Sequence, residues 1–199
     1  MKKIFFIALF VGSIFTLGAC DNEESKDTPK LNQITLKIDD NEIKQCLSSP
    51  DYIEAINTLD DFYIRCINSF DENPDIFLSV CKNNDYDSFY SLLGYSNIDV
   101  VAENFSNNIL NLQKTFTIFS NAENYNCGCV SSGLMSIYNL VSSGGIVIGN
   151  NNHVVVGIDD PEGLVRCVAL CSSTCLPMFL YSPAYIACVA TCSAMCYNA

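Results

Sequence analysis

Six cysteines near the end of the chain repeat one spacing. The stretches CVALCSSTC (Cys167–Cys175) and CVATCSAMC (Cys188–Cys196) each place a cysteine at every fourth position. Thiols spaced in this way can form disulfide bonds, bind a soft metal ion as thiolates, or supply a nucleophile. Residues four apart share one face of a helix, so the spacing predicts two helices that each carry a stripe of three thiols.

The equal spacing also sets a pairing if the two helices fold back antiparallel. Mostly small residues separate the cysteines, so the helices can approach to the roughly 4.4–6.8 Å that bridged Cα atoms require. We therefore predict the disulfide bonds Cys167–Cys196, Cys171–Cys192 and Cys175–Cys188. Because residues four apart drift by about 40° around a helix, we expect the middle pair to be best placed and one outer pair to be strained or re-paired. Cys127 and Cys129 are expected in further bridges, for which the sequence leaves the partners open.

Three further cysteines, Cys46, Cys66 and Cys81, lie in the first half of the chain. Because their number is odd, pairing among them leaves at least one thiol free. Cys66 falls on an apolar helical face, where a buried and unreactive thiol is the usual state. The sequence predicts no particular partner for any of the three.

A metal site is the first alternative to the disulfide bonds. Thiolates four residues apart on a helix can share Cu(I), and helical bundles with Cys-x3-Cys pairs resemble bacterial copper-storage proteins. The chain holds one histidine and four methionines, few ligands for copper or for a structural zinc site. Because export favours thiol oxidation, we predict disulfide bonds, with neither a metal nor another cofactor.

A cysteine peptidase is the second alternative. The segments NCGCVSSGLMSIYNL and NNNHVVVGIDDP resemble parts of papain-like peptidases of the streptopain-like and bacteriocin-processing groups. That resemblance implies Cys129 as nucleophile, His153 as base, and Asp159 or Asp160 as the residue that orients the base. Only 23 residues separate Cys129 from His153, far fewer than in those peptidases. The sequence therefore leaves enzyme activity open and favours a protein that is not an enzyme.

The start of the chain has the layout of a secretory signal. MKKIFFIALFVGSIFTLGAC combines two lysines, an apolar run and the ending Leu-Gly-Ala-Cys. The ending resembles a bacterial lipobox, which implies removal of residues 1–19 and acylation of Cys20, for instance with palmitate. Residues 20–33 are polar and acidic and resemble the export signal of Bacteroidota-type lipoproteins. The resemblance implies a lipid anchor in the outer membrane or at the cell surface. In other envelopes an aspartate after the lipid cysteine, here Asp21, resembles an inner-membrane retention signal.

Charge is unevenly distributed along the chain. The net charge is −12, and of 22 acidic residues only Asp159, Asp160 and Glu162 follow residue 124. Such a chain lacks the basic surface that nucleic acids require. Residues 161–199 carry only Glu162 and Arg166 as charged side chains. A segment so apolar must pack tightly, meet a membrane, or meet a partner protein.

Residues 34–124 are predicted to form an acidic helical bundle. QITLKID alternates as a short strand would, and Ser49-Pro50 and Asn73-Pro74 are typical of helix starts. From Ile53 to Phe70, and again from Ile98 to Phe119, apolar residues recur at helical spacing. These stripes are expected to form a core.

Residues 125–199 are predicted to form a separate cysteine-rich apolar module. A short helix ends at Gly144-Gly145, and the segment GGIVIGNNNHVVVGI indicates a β-hairpin. Asp160-Pro161 and Ser182-Pro183 begin the two cysteine-bearing helices. The predicted fold class is therefore mainly α: an acidic helical bundle, a short β-hairpin, and a disulfide-stapled antiparallel helical hairpin.

An acidic helical half, a Cys-x-Cys junction (NCGC) and a cysteine-rich apolar tail together resemble precursors with a bacteriocin-like end, of the fulvocin-related or halocin-like kind. The resemblance implies that the tail is the active part and that the preceding helices act as its carrier or immunity partner. We therefore expect an envelope lipoprotein whose tail acts on a target-cell membrane or a protein partner. The alternative without toxicity is a structural surface lipoprotein.

Overall fold

The fold is described by a computed structural model for residues 40–121, 133–145, 160–179 and 182–198. Within these ranges the regular structure is helical, which confirms the mainly α class. The helices are α1 (Asp40–Leu47), α2 (Pro50–Glu72), α3 (Pro74–Asn83), α4 (Tyr86–Leu92), α5 (Ile98–Thr115), α6 (Thr117–Ser120), α7 (Leu134–Ser142), α8 (Pro161–Phe179) and α9 (Pro183–Asn198).

Several predicted features lie outside the described residues. They are the signal segment with Cys20, the acidic tether, the short strand, the boundary near residue 125, and most of the β-hairpin segment. The short β-hairpin of the predicted fold class therefore stays a prediction.

Helices begin where local chemistry favours a start. The Ser49 hydroxyl accepts a hydrogen bond from the Tyr52 amide at 3.2 Å, and Pro50 opens α2. The Asp160 carboxylate accepts from the Gly163 amide at 2.8 Å at the start of α8. These oxygens satisfy amides that lack partners in the first helical turn. The helix starts expected at Pro50, Pro74, Pro161 and Pro183 are all confirmed.

The long helices α2 and α5 pack side by side and antiparallel. The Asn108 amide donates to the Glu54 carboxylate at 3.2 Å, and the Asn111 amide donates to that of Asp51 at 3.0 Å. One correction concerns the edge of the buried face of α2: Ile53 is 47% exposed, whereas the neighbouring Tyr52 is buried. The centre of the predicted stripe is buried as expected, at Leu59, Tyr63 and Cys66, so the difference is confined to the first turn.

Helix α9 lies in the centre of the described structure. Every residue from Ala184 to Ala194 is buried, whereas a surface helix buries only one stripe. The helix packs against α2, α5, α7 and α8. The rings of Phe105 on α5 and Tyr185 on α9 lie 5.7 Å apart. The acidic helices and the cysteine-rich helices therefore share one hydrophobic core.

Candidate functional site: the disulfide-bonded hairpin

Helices α8 and α9 fold back on each other and hold their six cysteines in three pairs. The Cα atoms are 5.7 Å apart in Cys167–Cys196, 5.6 Å in Cys171–Cys192 and 6.0 Å in Cys175–Cys188. These separations fall in the range of disulfide bonds. They are the same three pairs that an antiparallel register predicts, and the hairpin of the predicted fold class is thus present.

The three bonds differ in their exposure. The four inner cysteines are at most 2% exposed, namely Cys171, Cys175, Cys188 and Cys192. At the outer bond Cys167 is 8% exposed, and Cys196 is only partly buried. The outer bond therefore lies closer to solvent than the inner two.

Hydrogen bonds add to the covalent links within the hairpin. The Tyr185 hydroxyl on α9 donates to the Ser172 carbonyl on α8 at 3.0 Å. The Thr191 hydroxyl donates back along its own helix to the Ala187 carbonyl at 2.8 Å. By contrast, the Ser193 hydroxyl is buried without a hydrogen-bond partner, a state that costs free energy.

Two tyrosines of the acidic helices reach into the hairpin. The Tyr63 hydroxyl on α2 donates to the Ala190 carbonyl, and the Tyr90 hydroxyl on α4 donates to the Pro183 carbonyl. Both side chains are nearly fully buried, and burial raises the pKa of each phenol above its usual range. The two neutral hydroxyls thus fix α9 at its start and near its middle.

The contribution of these tyrosines is not apparent from the sequence pattern alone. Tyr63 falls on the predicted apolar stripe of α2, and Tyr90 belongs to a segment for which no stripe is predicted. A general signal does exist, since a buried tyrosine usually requires a partner for its hydroxyl. The sequence cannot say that the partner is a backbone carbonyl about a hundred residues later.

A smaller polar cluster ties α2 to the connection between α4 and α5. The Asp61 carboxylate accepts from Arg65 at 2.8 Å and from the Tyr95 hydroxyl at 2.9 Å. The guanidinium of Arg65 lies 4.5 Å from the Tyr95 ring centre and donates to the Leu93 carbonyl at 3.0 Å. The hydrogen bond that Arg65 donates to Asp61 raises the pKa of Arg65. All these contacts join residues of the same chain, so the cluster stabilises the fold.

The three upstream cysteines are free and buried. Burial raises the pKa of Cys46 and of Cys81 to about 12, and that of Cys66 well above its ordinary value; the Glu42 carboxylate adds to the effect at Cys46. Because the thiolate is the reactive form, burial disfavours reaction of these thiols at neutral pH. The expectation of a buried Cys66 is confirmed.

The residues implied by the peptidase resemblance, Cys129, His153 and Asp159, lie outside the described residues, as does Cys127. Asp160, the other acidic residue considered, caps α8. The Cu(I) hypothesis relied on the six hairpin cysteines, and a sulfur in a disulfide bond is no thiolate ligand. In the described ranges no cluster of three or more histidine, cysteine or acidic residues is arranged to hold a metal ion.

None of the helices in the described part of the chain combines the length and the apolar character that a membrane span requires.

Comparison with known proteins identifies no relative on which a function could be based. No protein-family model, no curated protein and no solved structure matches the chain.

Proposed function

We propose that the protein is a lipid-anchored protein of a bacterial envelope that acts by binding a membrane or protein partner, and that its disulfide-bonded hairpin is the internal frame of the binding domain. The observation that carries this proposal is the burial of α9 on every side, from Ala184 to Ala194. A segment so apolar must cover its surface, and here the acidic helices cover it. A partner then binds to the outer faces of those helices.

The location of the disulfide bonds supports an exported protein. Disulfide bonds persist in oxidising compartments, and each typically stabilises a fold by about 2–4 kcal/mol by restricting the unfolded chain. The N-terminal segment that resembles a lipobox suits the same route through the envelope.

A bacteriocin-like action of the hairpin is the second candidate. One observation favours it: within the described ranges, every disulfide bond lies inside the hairpin, and none joins it to the acidic helices. The hairpin is thus a covalently closed unit that its neighbours hold by packing and by the hydroxyls of Tyr63 and Tyr90. In this case the acidic helices act as a carrier that covers an apolar, membrane-active element.

A dye-leakage experiment separates the two candidates. The purified full chain, with its disulfide bonds intact, is added to dye-loaded vesicles of neutral and of anionic phospholipids. If the hairpin is the internal frame, the dye stays inside, because the apolar surface of α9 is covered. Leakage at low protein-to-lipid ratios, abolished by prior reduction, would instead establish the bacteriocin-like action.

The lipid anchor is tested with Cys20→Ser, expressed beside the wild-type chain in a bacterial host that acylates lipoproteins. We expect the wild-type chain in the membrane fraction, with a mass that includes acyl chains, and the variant without them. Cys46→Ser is the matched control, since Cys46 is a buried core thiol. An unacylated wild-type chain would contradict the anchor while leaving the role of the hairpin to the leakage result.

A further inference from the structure

We infer that the Cys167–Cys196 bond is a thiol-exchange site in the folded protein, open to small external thiols, whereas Cys171–Cys192 and Cys175–Cys188 are sealed in the core. The inference does not depend on the proposed function. Its basis is the exposure of the six cysteine residues: those of the two inner bonds are at most 2% exposed, but Cys167 is 8% exposed and Cys196 is only partly buried. Exchange requires an attacking thiolate to reach a sulfur atom, and of the three hairpin bonds the outer one lies nearest to solvent.

The position of the outer bond strengthens this difference. Cys196 lies in the last turn of α9, which ends at Asn198. Helix ends open locally at a lower free-energy cost than helix centres. Cys171 and Cys192 lie well inside their helices and are fully buried. A reductant can therefore gain access to Cys196 by local opening, but it reaches the inner bonds only when α9 leaves the core.

The chemistry is an ordinary exchange in two steps. An external thiolate attacks Sγ of Cys196, forms a mixed disulfide with it, and releases Cys167 as a thiolate, which takes up a proton from water. A second external thiolate then attacks the mixed disulfide, and Cys196 leaves as a thiolate. The two electrons that reduce the protein bond come from the two external thiols, which end as their own disulfide.

The surroundings favour small anionic thiols as reactants. Arg166, next to Cys167 in the chain, is exposed and is the single basic residue from residue 125 onward. Its charge attracts an anionic thiol and stabilises a departing thiolate nearby, by an amount that salt reduces. The free thiols Cys46, Cys66 and Cys81 are buried, so exchange cannot pass from the outer bond to them in the folded state.

The test is timed reduction of the folded full chain. Exposed thiols are first blocked with N-ethylmaleimide and the excess is removed; glutathione is then added at neutral pH without denaturant. Samples are alkylated with iodoacetamide, weighed as intact protein, and digested so that the labelled cysteines are identified by peptide mass. We expect an early phase that adds two labels, at a rate at least about tenfold above that of the remaining bonds. The double variant Cys167→Ser/Cys196→Ser is expected to lack that phase while it keeps the helical circular dichroism of the wild type.

Matched variants make the assignment specific. Cys171→Ser/Cys192→Ser removes a buried bond and should keep the early two-label phase if it folds. Arg166→Ala leaves all bonds in place. It should lower the rate of the early phase with glutathione more than the rate with a neutral thiol. The inference is overturned if all hairpin cysteines of the wild type become labelled together, or if the early labels fall on hairpin cysteines other than Cys167 and Cys196. The wild-type time course alone decides the first outcome, whichever variant folds.

Discussion

At the scale of single residues, the hydroxyl groups of three buried tyrosines show how differently one residue type can act. Tyr63 and Tyr90 each donate to a backbone carbonyl of α9, whereas the hydroxyl of Tyr52 is buried with no hydrogen-bond partner. A net hydrogen bond typically stabilises a fold by about 1 kcal/mol, and an unpaired buried hydroxyl destabilises it. The same substitution should therefore have opposite effects at these positions.

We predict that Tyr63→Phe and Tyr90→Phe each lower the free energy of unfolding by about 1 kcal/mol. Tyr52→Phe, the matched control, should leave it unchanged or raise it. The measurement is urea unfolding followed by circular dichroism with all disulfide bonds intact, since the chain has no tryptophan. Equal losses in all three variants would show that the hydroxyls of Tyr63 and Tyr90 do not hold α9.

For single residues, the sequence predicted the pairing of the hairpin cysteines best. The register of six cysteines follows from their equal four-residue spacing, because a helix places such residues on one face. The states of Cys46 and Cys81 did not follow, since neither has a spacing partner. Whether such a thiol forms a disulfide bond depends on which helices surround it. Here both thiols are buried and free.

At the scale of elements, α7 depends on a side chain from another helix. Asn84, just after α3, adopts the left-handed conformation (φ 51°), and its side-chain oxygen accepts a hydrogen bond from the Leu134 amide at 3.1 Å. Asparagine tolerates this conformation better than other residues with a Cβ atom. One residue therefore ends α3 and caps the start of α7.

We predict that Asn84→Ala lowers the free energy of unfolding by about 1–2 kcal/mol, because it removes the cap and places alanine in a left-handed conformation. Asn84→Asp keeps an oxygen acceptor and should cost less. The control is Asn83→Ala, the same change at the exposed neighbouring position, which should alter stability little. Thermal unfolding of the oxidised variants measures all three, and a neutral Asn84→Ala would refute the cap.

At the scale of the whole molecule, the cysteine-rich helices complete the core of the acidic helices. The sequence divided the chain into an acidic bundle and an apolar module, yet Phe105 on α5 packs on Tyr185 of α9. The faces of α2, α5 and α7 that meet α9 are apolar and would be exposed without it. Such exposure removes a large part of the hydrophobic stabilisation of a fold.

We predict that a chain ending at residue 159, without α8 and α9, does not fold cooperatively. Its circular dichroism should show reduced helix and its urea transition should be broad, since the buried faces of α2 and α5 lose their cover. The full chain with Arg166→Ala, a change at an exposed position, is the control and should unfold cooperatively. A sharp transition in the shortened chain would show that the acidic helices form a domain of their own.

The sequence by itself determined the helical class, the four helix starts at proline and the pairing of the hairpin cysteines, because each depends on residues close in the chain or on one repeated spacing. Only the tertiary structure decided what covers the apolar tail. Composition requires that so apolar a segment be covered, but it is equally consistent with a membrane, a partner or the chain itself. The answer lies in contacts between distant residues, such as Tyr63 with Ala190, which no local pattern encodes.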